Sequence, residues 1–164
     1  MHRRALVAVL LTLATSACTP PPPPPPPAPL PPPPPMVVEE TDAEKTARAQ
    51  RLWDEGTTLG RQGRWGQAER SYREAATLRP DSAVYHMALA NALLQQFRYS
   101  EGADALLAGI RAQEAEQPVN HRVIAVDYER LIQALERANR LDEARSARER
   151  QRLHRMLRDT APPR

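Results

Sequence analysis

The chain is poor in cysteine, in aromatic residues and in lysine. Its single cysteine, Cys18, excludes an internal disulfide and any metal site built from several thiolates. One phenylalanine and two tryptophans among 164 residues leave little aromatic bulk for an interior. Alanine, leucine, arginine, glutamate and glutamine dominate from Met36 onward, and these are strong helix formers, so an all-α fold is expected. The four histidines, His2, His86, His121 and His154, show no Glu-x-x-His pairing, no His-x₃-His spacing and no grouping with the cysteine. No metal site is expected from them. No glycine-rich loop follows a strand pattern, and no cofactor is expected. The adjacent carboxylates Glu39-Glu40 and Asp142-Glu143 point to different faces. With no catalytic constellation in view, the chain is not expected to be an enzyme.

What is present divides into segments. Met1 to Ala17 begins with His2, Arg3 and Arg4, runs through an apolar stretch from Ala5 to Ala14, and ends in Thr15-Ser16-Ala17. A basic start, a short apolar centre and a small-residue end are the layout of a secretory signal peptide. The apolar stretch is too short to span a bilayer, which takes about 20 residues. Residues 18–40 hold the cysteine and a run from Pro20 to Pro35 in which fourteen of sixteen residues are proline. Proline has no N–H and a locked φ, so this run joins neither helix nor sheet. It is read as a polyproline II spacer, with a reach on the order of 50 Å at about 3.1 Å per residue. Residues 41–159 carry the helical pattern, and 160–164 read as a disordered tail. The formal charge is +3. Cleavage before Cys18 removes Arg3 and Arg4 and no acidic residue, leaving 21 basic against 20 acidic side chains. That balance makes no case for nucleic-acid binding.

Ser16-Ala17-Cys18 resembles the lipobox of bacterial lipoproteins, in which two small residues precede a cysteine that becomes the first, acylated residue of the mature chain. Thr15 stands where that family prefers leucine. The resemblance implies lipidation of Cys18. Two or more acyl chains anchor stably where one does not. Thr19 follows the cysteine, and the family's sorting rules place a chain without aspartate there in the outer membrane, facing the periplasm. The alternative is an unlipidated periplasmic or secreted adaptor.

Ala49 to Ser82, "AQRLWDEGTTLGRQGRWGQAERSYREAATLRPDS", resembles a tetratricopeptide (TPR) repeat, a helix–turn–helix unit of 34 residues. The landmarks are Gly56, Leu59, Gly63, Trp65, Ala68, Tyr72, Ala75 and Pro80. Small residues at 56 and 68 allow a close helix crossing, Gly63 supplies the turn, Leu59 and Tyr72 fill the space between helices, and Pro80 stops the second helix. Ala83 to Glu116 repeats Leu89, Ala90, Leu93, Tyr99 and Leu106, with Phe97 in place of the turn glycine and Gly102 in place of the alanine. After a short insertion, Tyr128, Leu131, Leu135, Leu141 and Ala144 give a third unit, with Asn139 at the turn and Arg148 where an aromatic or leucine packs. The last helix has no clean apolar stripe: Leu153, Met156 and Leu157 lie on a different side from Ala144 and Ala147, as in a polar capping helix. The expected fold is a TPR-like stack of helical hairpins, about three repeats, with helices near 42–62, 66–78, 83–97, 100–116, 120–138 and 141–158. Thr41 to Glu44 predicts a capping box, Asp81 or Ser82 a cap on the third helix, and Ser100 a cap on the fourth. His86 is expected to be half-buried, His121 and His154 to lie on charged helix faces.

The resemblance also implies a concave groove lined by the first helix of each repeat. Its positions fall on Gln50, Trp53, Thr57 and Arg61, then Val84, Met87, Asn91 and Gln95, then Val126, Glu129 and Gln133. Asn91 matches an asparagine that holds a ligand backbone in peptide-binding members. The implied partner is a protein helix or extended peptide, with Trp53, Val84 and Met87 as apolar anchors. The alternative is that these residues pack against segment 37–48. On this reading the chain is a membrane-anchored envelope scaffold or assembly factor.

Overall fold

The computed structural model describes residues 40–160; the expected signal peptide, Cys18, the proline run and residues 161–164 lie outside the described residues. Six helices follow one another: α1 Asp42–Arg61, α2 Trp65–Leu78, α3 Ala83–Gln95, α4 Tyr99–Ala115, α5 His121–Arg137 and α6 Leu141–Thr160. There is no strand among the described residues. Each helix packs on its chain neighbours, so the molecule is a stack of three helical hairpins. The expected boundaries hold to within two residues, although α6 extends to Thr160.

Caps and turns explain the boundaries. Thr41 Oγ1 accepts from the Glu44 amide at 3.3 Å, and Glu44 Oε2 accepts from the Thr41 amide at 2.8 Å, the reciprocal capping box. The three hairpin turns share one geometry. Gly63, Phe97 and Asn139 have φ of 72°, 59° and 60°. The amide of the next residue then reaches back into the first helix: Arg64 to Leu59 O at 3.0 Å, Arg98 to Leu93 O at 3.0 Å, Arg140 to Leu135 O at 2.8 Å. α3 therefore stops at Gln95, two residues short of the expected bound, and Phe97 forms the turn at the position where the repeat pattern has glycine. Two expected caps are corrected. Ser82 occupies the N-cap of α3 without a side-chain bond, and Asp81 is taken by Arg79 at 2.8 Å. Ser100 lies inside α4, whose N-cap is Arg98. Asn120, not foreseen, caps α5 by accepting from the Val123 amide at 3.3 Å.

That arginine position recurs. Arg98 binds Glu101 one turn on, Nε to Oε1 at 2.7 Å, and reaches across to Glu69 on α2 at 2.5 Å. Arg140 binds Glu143 at 2.6 Å and reaches across to Asp104 on α4 at 2.6 Å. Each guanidinium thus ties its own second helix to the second helix of the preceding hairpin. Fork geometry suits arginine for bridging two carboxylates.

The interior changes along the stack. Around α1 and α2 it is alanine with rings: Ala49, Ala68 and Ala75 are fully buried beside Tyr72, Trp53 and Trp65. Around α3 to α6 it is aliphatic, with Leu93, Leu106, Ile110, Ile124, Leu131 and Leu135 packed about Tyr128. α6 buries Ala144, Ala147, Gln151 and His154, one helical stripe whose second half is polar. Met156, 65% exposed, stands on the other side with Leu153 and Leu157. His154 is only 7% exposed, so its expected place on a charged surface is corrected.

Candidate functional site

Trp53 from α1 and Val84, Met87 and Asn91 from α3 line one depression of about 510 Å³, joined by Gln113 from α4 and Arg130 from α5. The register of α1 and α3 accounts for this: Val84, Met87 and Asn91 share a face at helical spacing. Trp53 is half-buried, with its ring also packed against the alanine clusters, while Val84 stands exposed at the rim. Polar capacity comes from Asn91, Gln113, Glu116 and Arg130. Gln113 donates to Asp127 Oδ2 at 3.0 Å, and its own Oε1 is buried without a partner.

A second depression, about 280 Å³, opens beyond it between the α3–α4 turn and α5, with Gln95, Phe97, Gln133 and Arg137 among its lining. Arg130 borders both. The expected groove line is thus divided in two, and not every residue reaches it. Gln50 bonds Asp54 at 3.3 Å and accepts from Tyr85 Oη at 3.5 Å. Thr57 accepts from Tyr72 Oη at 3.3 Å. Arg61 is exposed at the end of α1, and Val126 is exposed on α5; neither lines either of these two depressions. Glu129 is exposed, lies 3.8 Å from Arg155 of α6, and lines neither of the two depressions.

Sequence reasoning missed two arrangements. Glu114, Tyr128, His121 and His154 form one network across α4, α5 and α6. His154 Nε2 meets Glu114 Oε1 at 3.1 Å, Tyr128 Oη donates to the same oxygen at 3.0 Å, and the two histidine Nδ1 atoms are 3.0 Å apart. One imidazole must donate and the other accept. Burial, then the Glu114 carboxylate, pushes the Tyr128 hydroxyl up to about 12. Among the described residues no group of three ligands is placed to hold a metal ion. The other arrangement is a cavity of about 310 Å³ between α4, α5 and α6, with Leu107 and Leu131 in its wall and Arg111, Arg150, Asp104 and Glu143 also lining it. Neither has a local sequence signal, because each is assembled from three separate helices. His86 is half-buried as expected, its Nε2 2.9 Å from Pro80 O.

The chain is therefore an all-α stack of three helical hairpins with an open, mixed-polarity face lined from α1, α3, α4 and α5. No family model matches the chain, and no curated protein matches it. Among solved structures, the TPR domain of Arabidopsis OM64 is similar at 20% identity and a TM-score of 0.40, covering 67% of this chain and 98% of that one. No helix among the described residues is long and apolar enough to cross a membrane.

Proposed function

We propose that this chain is a lipid-anchored scaffold or assembly factor of the bacterial cell envelope. Cys18 ties it to the outer membrane on the periplasmic side, Pro20–Pro35 holds the helices away from the headgroups, and the hairpin stack binds a segment of another protein. The observation that carries the binding role is the depression in which Trp53, Val84, Met87 and Asn91 converge: apolar anchors beside an amide that can hold a peptide backbone. The anchoring role is supported by the small pair Ser16-Ala17 before the only cysteine. Thr15 favours a second reading, a soluble adaptor with the same groove and no lipid.

Two measurements test this. A photo-crosslinking residue at Met87 is expected to capture a protein partner in intact envelopes, and Asn91→Ala to reduce the capture. Crosslinks unaffected by groove substitutions would overturn the binding role. Cys18→Ser is expected to move the chain out of the membrane fraction and abolish acyl labelling; unchanged fractionation would leave the soluble adaptor as the better account.

A further inference from the structure

The left-handed conformation at the three hairpin turns suits glycine and is tolerated by asparagine, but a bulky side chain there is unfavourable. Phe97 occupies it at φ 59°. Burial of the ring does not compensate, because Phe97 is 76% exposed. The ring instead stands edge-on to Tyr99, centroids 6.3 Å apart. Tyr99 lies under the Arg137 guanidinium at 5.3 Å, and Arg137 Nη1 donates to its hydroxyl at 3.4 Å. Leu94 and Ala134 complete an apolar floor, and the charged side chains lining the depression are Arg130 and Arg137, with no carboxylate. Arg130 has only Asp127, at 3.5 Å, and Arg137 forms no ion pair among the described residues. Two guanidiniums beside the exposed Phe97 ring and the half-buried Tyr99 ring match a carboxylate next to an apolar side chain; a nucleic acid would require a longer row of cations along its phosphates.

We propose that the α3–α4 turn docks an acidic segment of a partner protein, an apolar side chain packing on Phe97 and Leu94 and a carboxylate pairing with Arg137 and Arg130. This rests on the protein-binding role and names the partner's chemistry.

The probe is an acetylated, amidated peptide containing Phe-Glu-Glu, titrated at millimolar concentration into the ¹⁵N-labelled full chain. Backbone amides of residues 95–99 and 130–137 are expected to shift, and a Phe-Gln-Gln peptide to leave them unmoved. Arg137→Gln and Phe97→Gly are each expected to weaken binding about tenfold, the loss of one anchor. Phe97→Gly should at the same time raise Tm, which a merely structural role for the ring would not produce. Absence of shifts, shifts that persist with the glutamine peptide, or unchanged affinity in Phe97→Gly would overturn the proposal. So would tighter binding of a single-stranded oligonucleotide at the same residues. Crosslinking at Met87 reads the neighbouring depression independently: crosslinks there with a silent Phe97 patch overturn this inference alone, and loss of both overturns the protein-binding role.

Discussion

The first and last hairpins close on the same kind of turn and by opposite means. Between α1 and α2, rings fill holes left by missing side chains. A Cβ added at Gly56 would stand 2.6 Å from Tyr72 Cε1, and one at Gly60 would stand 2.9 Å from the Trp65 ring. Between α5 and α6 the larger apolar side chains all come from α5, and α6 answers with two alanines and then Gln151 and His154. Those polar atoms are accommodated because each has a partner: Gln151 Nε2 donates to Ala125 O at 3.0 Å, and His154 meets His121 and Glu114. A buried polar group is costly only when it is left unpaired. A helix with a mean character far from apolar can therefore close a core.

The largest effect is expected where each solution has its central ring. Tyr72→Ala and Tyr128→Ala should each lose about 3–5 kcal/mol in urea unfolding, the range for emptying an aromatic site. Gly56→Ala separates the two hairpins. Its Cβ runs into a buried ring with little room to retreat, costing about 1–3 kcal/mol against a helix-propensity gain of about 1 kcal/mol. A net loss is expected, and a stabilised Gly56→Ala would show that the two hairpins are not packed by different rules.

The two ends should also differ in their response to pH. Burial would raise the Glu69 carboxyl, but hydrogen bonds from Gln96, Arg98 and Arg73, with the charge of Arg73, outweigh it and hold the group below the usual carboxylate range. A depressed folded pKa adds stability above the unfolded value of about 4.3, and that stability is lost as pH falls through the folded value. Glu69→Gln should therefore flatten the acid limb of the stability profile. Tyr128 is raised to about 12. Its contribution is complete below the unfolded value of about 10 and is lost as pH rises toward 12. Tyr128→Phe should remove that alkaline loss and leave the acid limb unchanged. Urea unfolding across the pH range reads both, and matching profiles for the two variants would contradict the assignment.

Much of the fold was legible because the first hairpin uses backbone-scale constraints. Gly56, Gly63 and Pro80 each mark a steric requirement in a single letter. The third hairpin was legible only in outline. Arg148 replaces a packing residue and pairs with Glu136, and the polar half of the α6 stripe acquires its partners only when α4 and α5 are brought alongside. Ser100 misled because a serine before a helix pattern resembles a cap, whereas the turn puts Arg98 at the N-cap, with no side-chain cap bond, and starts the helix at Tyr99. The spacing Arg-x-x-Glu at 98–101 and 140–143 was a readable half of the arginine bridges between hairpins; Glu69 and Asp104 were not, since they lie a hairpin away. The groove suffered the same limit: helical spacing placed Val84, Met87 and Asn91 together, but not Gln113 and Arg130, which join them from α4 and α5.

The smallest effects belong to the turns, where all three hairpins are alike in geometry and differ in one side chain. Left-handed backbone costs a residue with a Cβ about 1–2 kcal/mol, less for asparagine, whose side chain can bond locally. Gly63, at φ 72° with nothing within 4 Å of an added Cβ, tests backbone strain free of any clash. Gly63→Ala should lose about 1 kcal/mol for that reason alone. Phe97→Gly should gain a similar amount less whatever the ring recovers from its edge contact with Tyr99, about 0.5–1.5 kcal/mol for a favourable aromatic pair. Asn139→Gly should change stability by a few tenths of a kcal/mol at most, since both residues accept the conformation. If Phe97→Gly instead destabilises the fold, the ring contributes more to the α3–α4 turn than its exposure suggests, and its retention needs no partner to explain it.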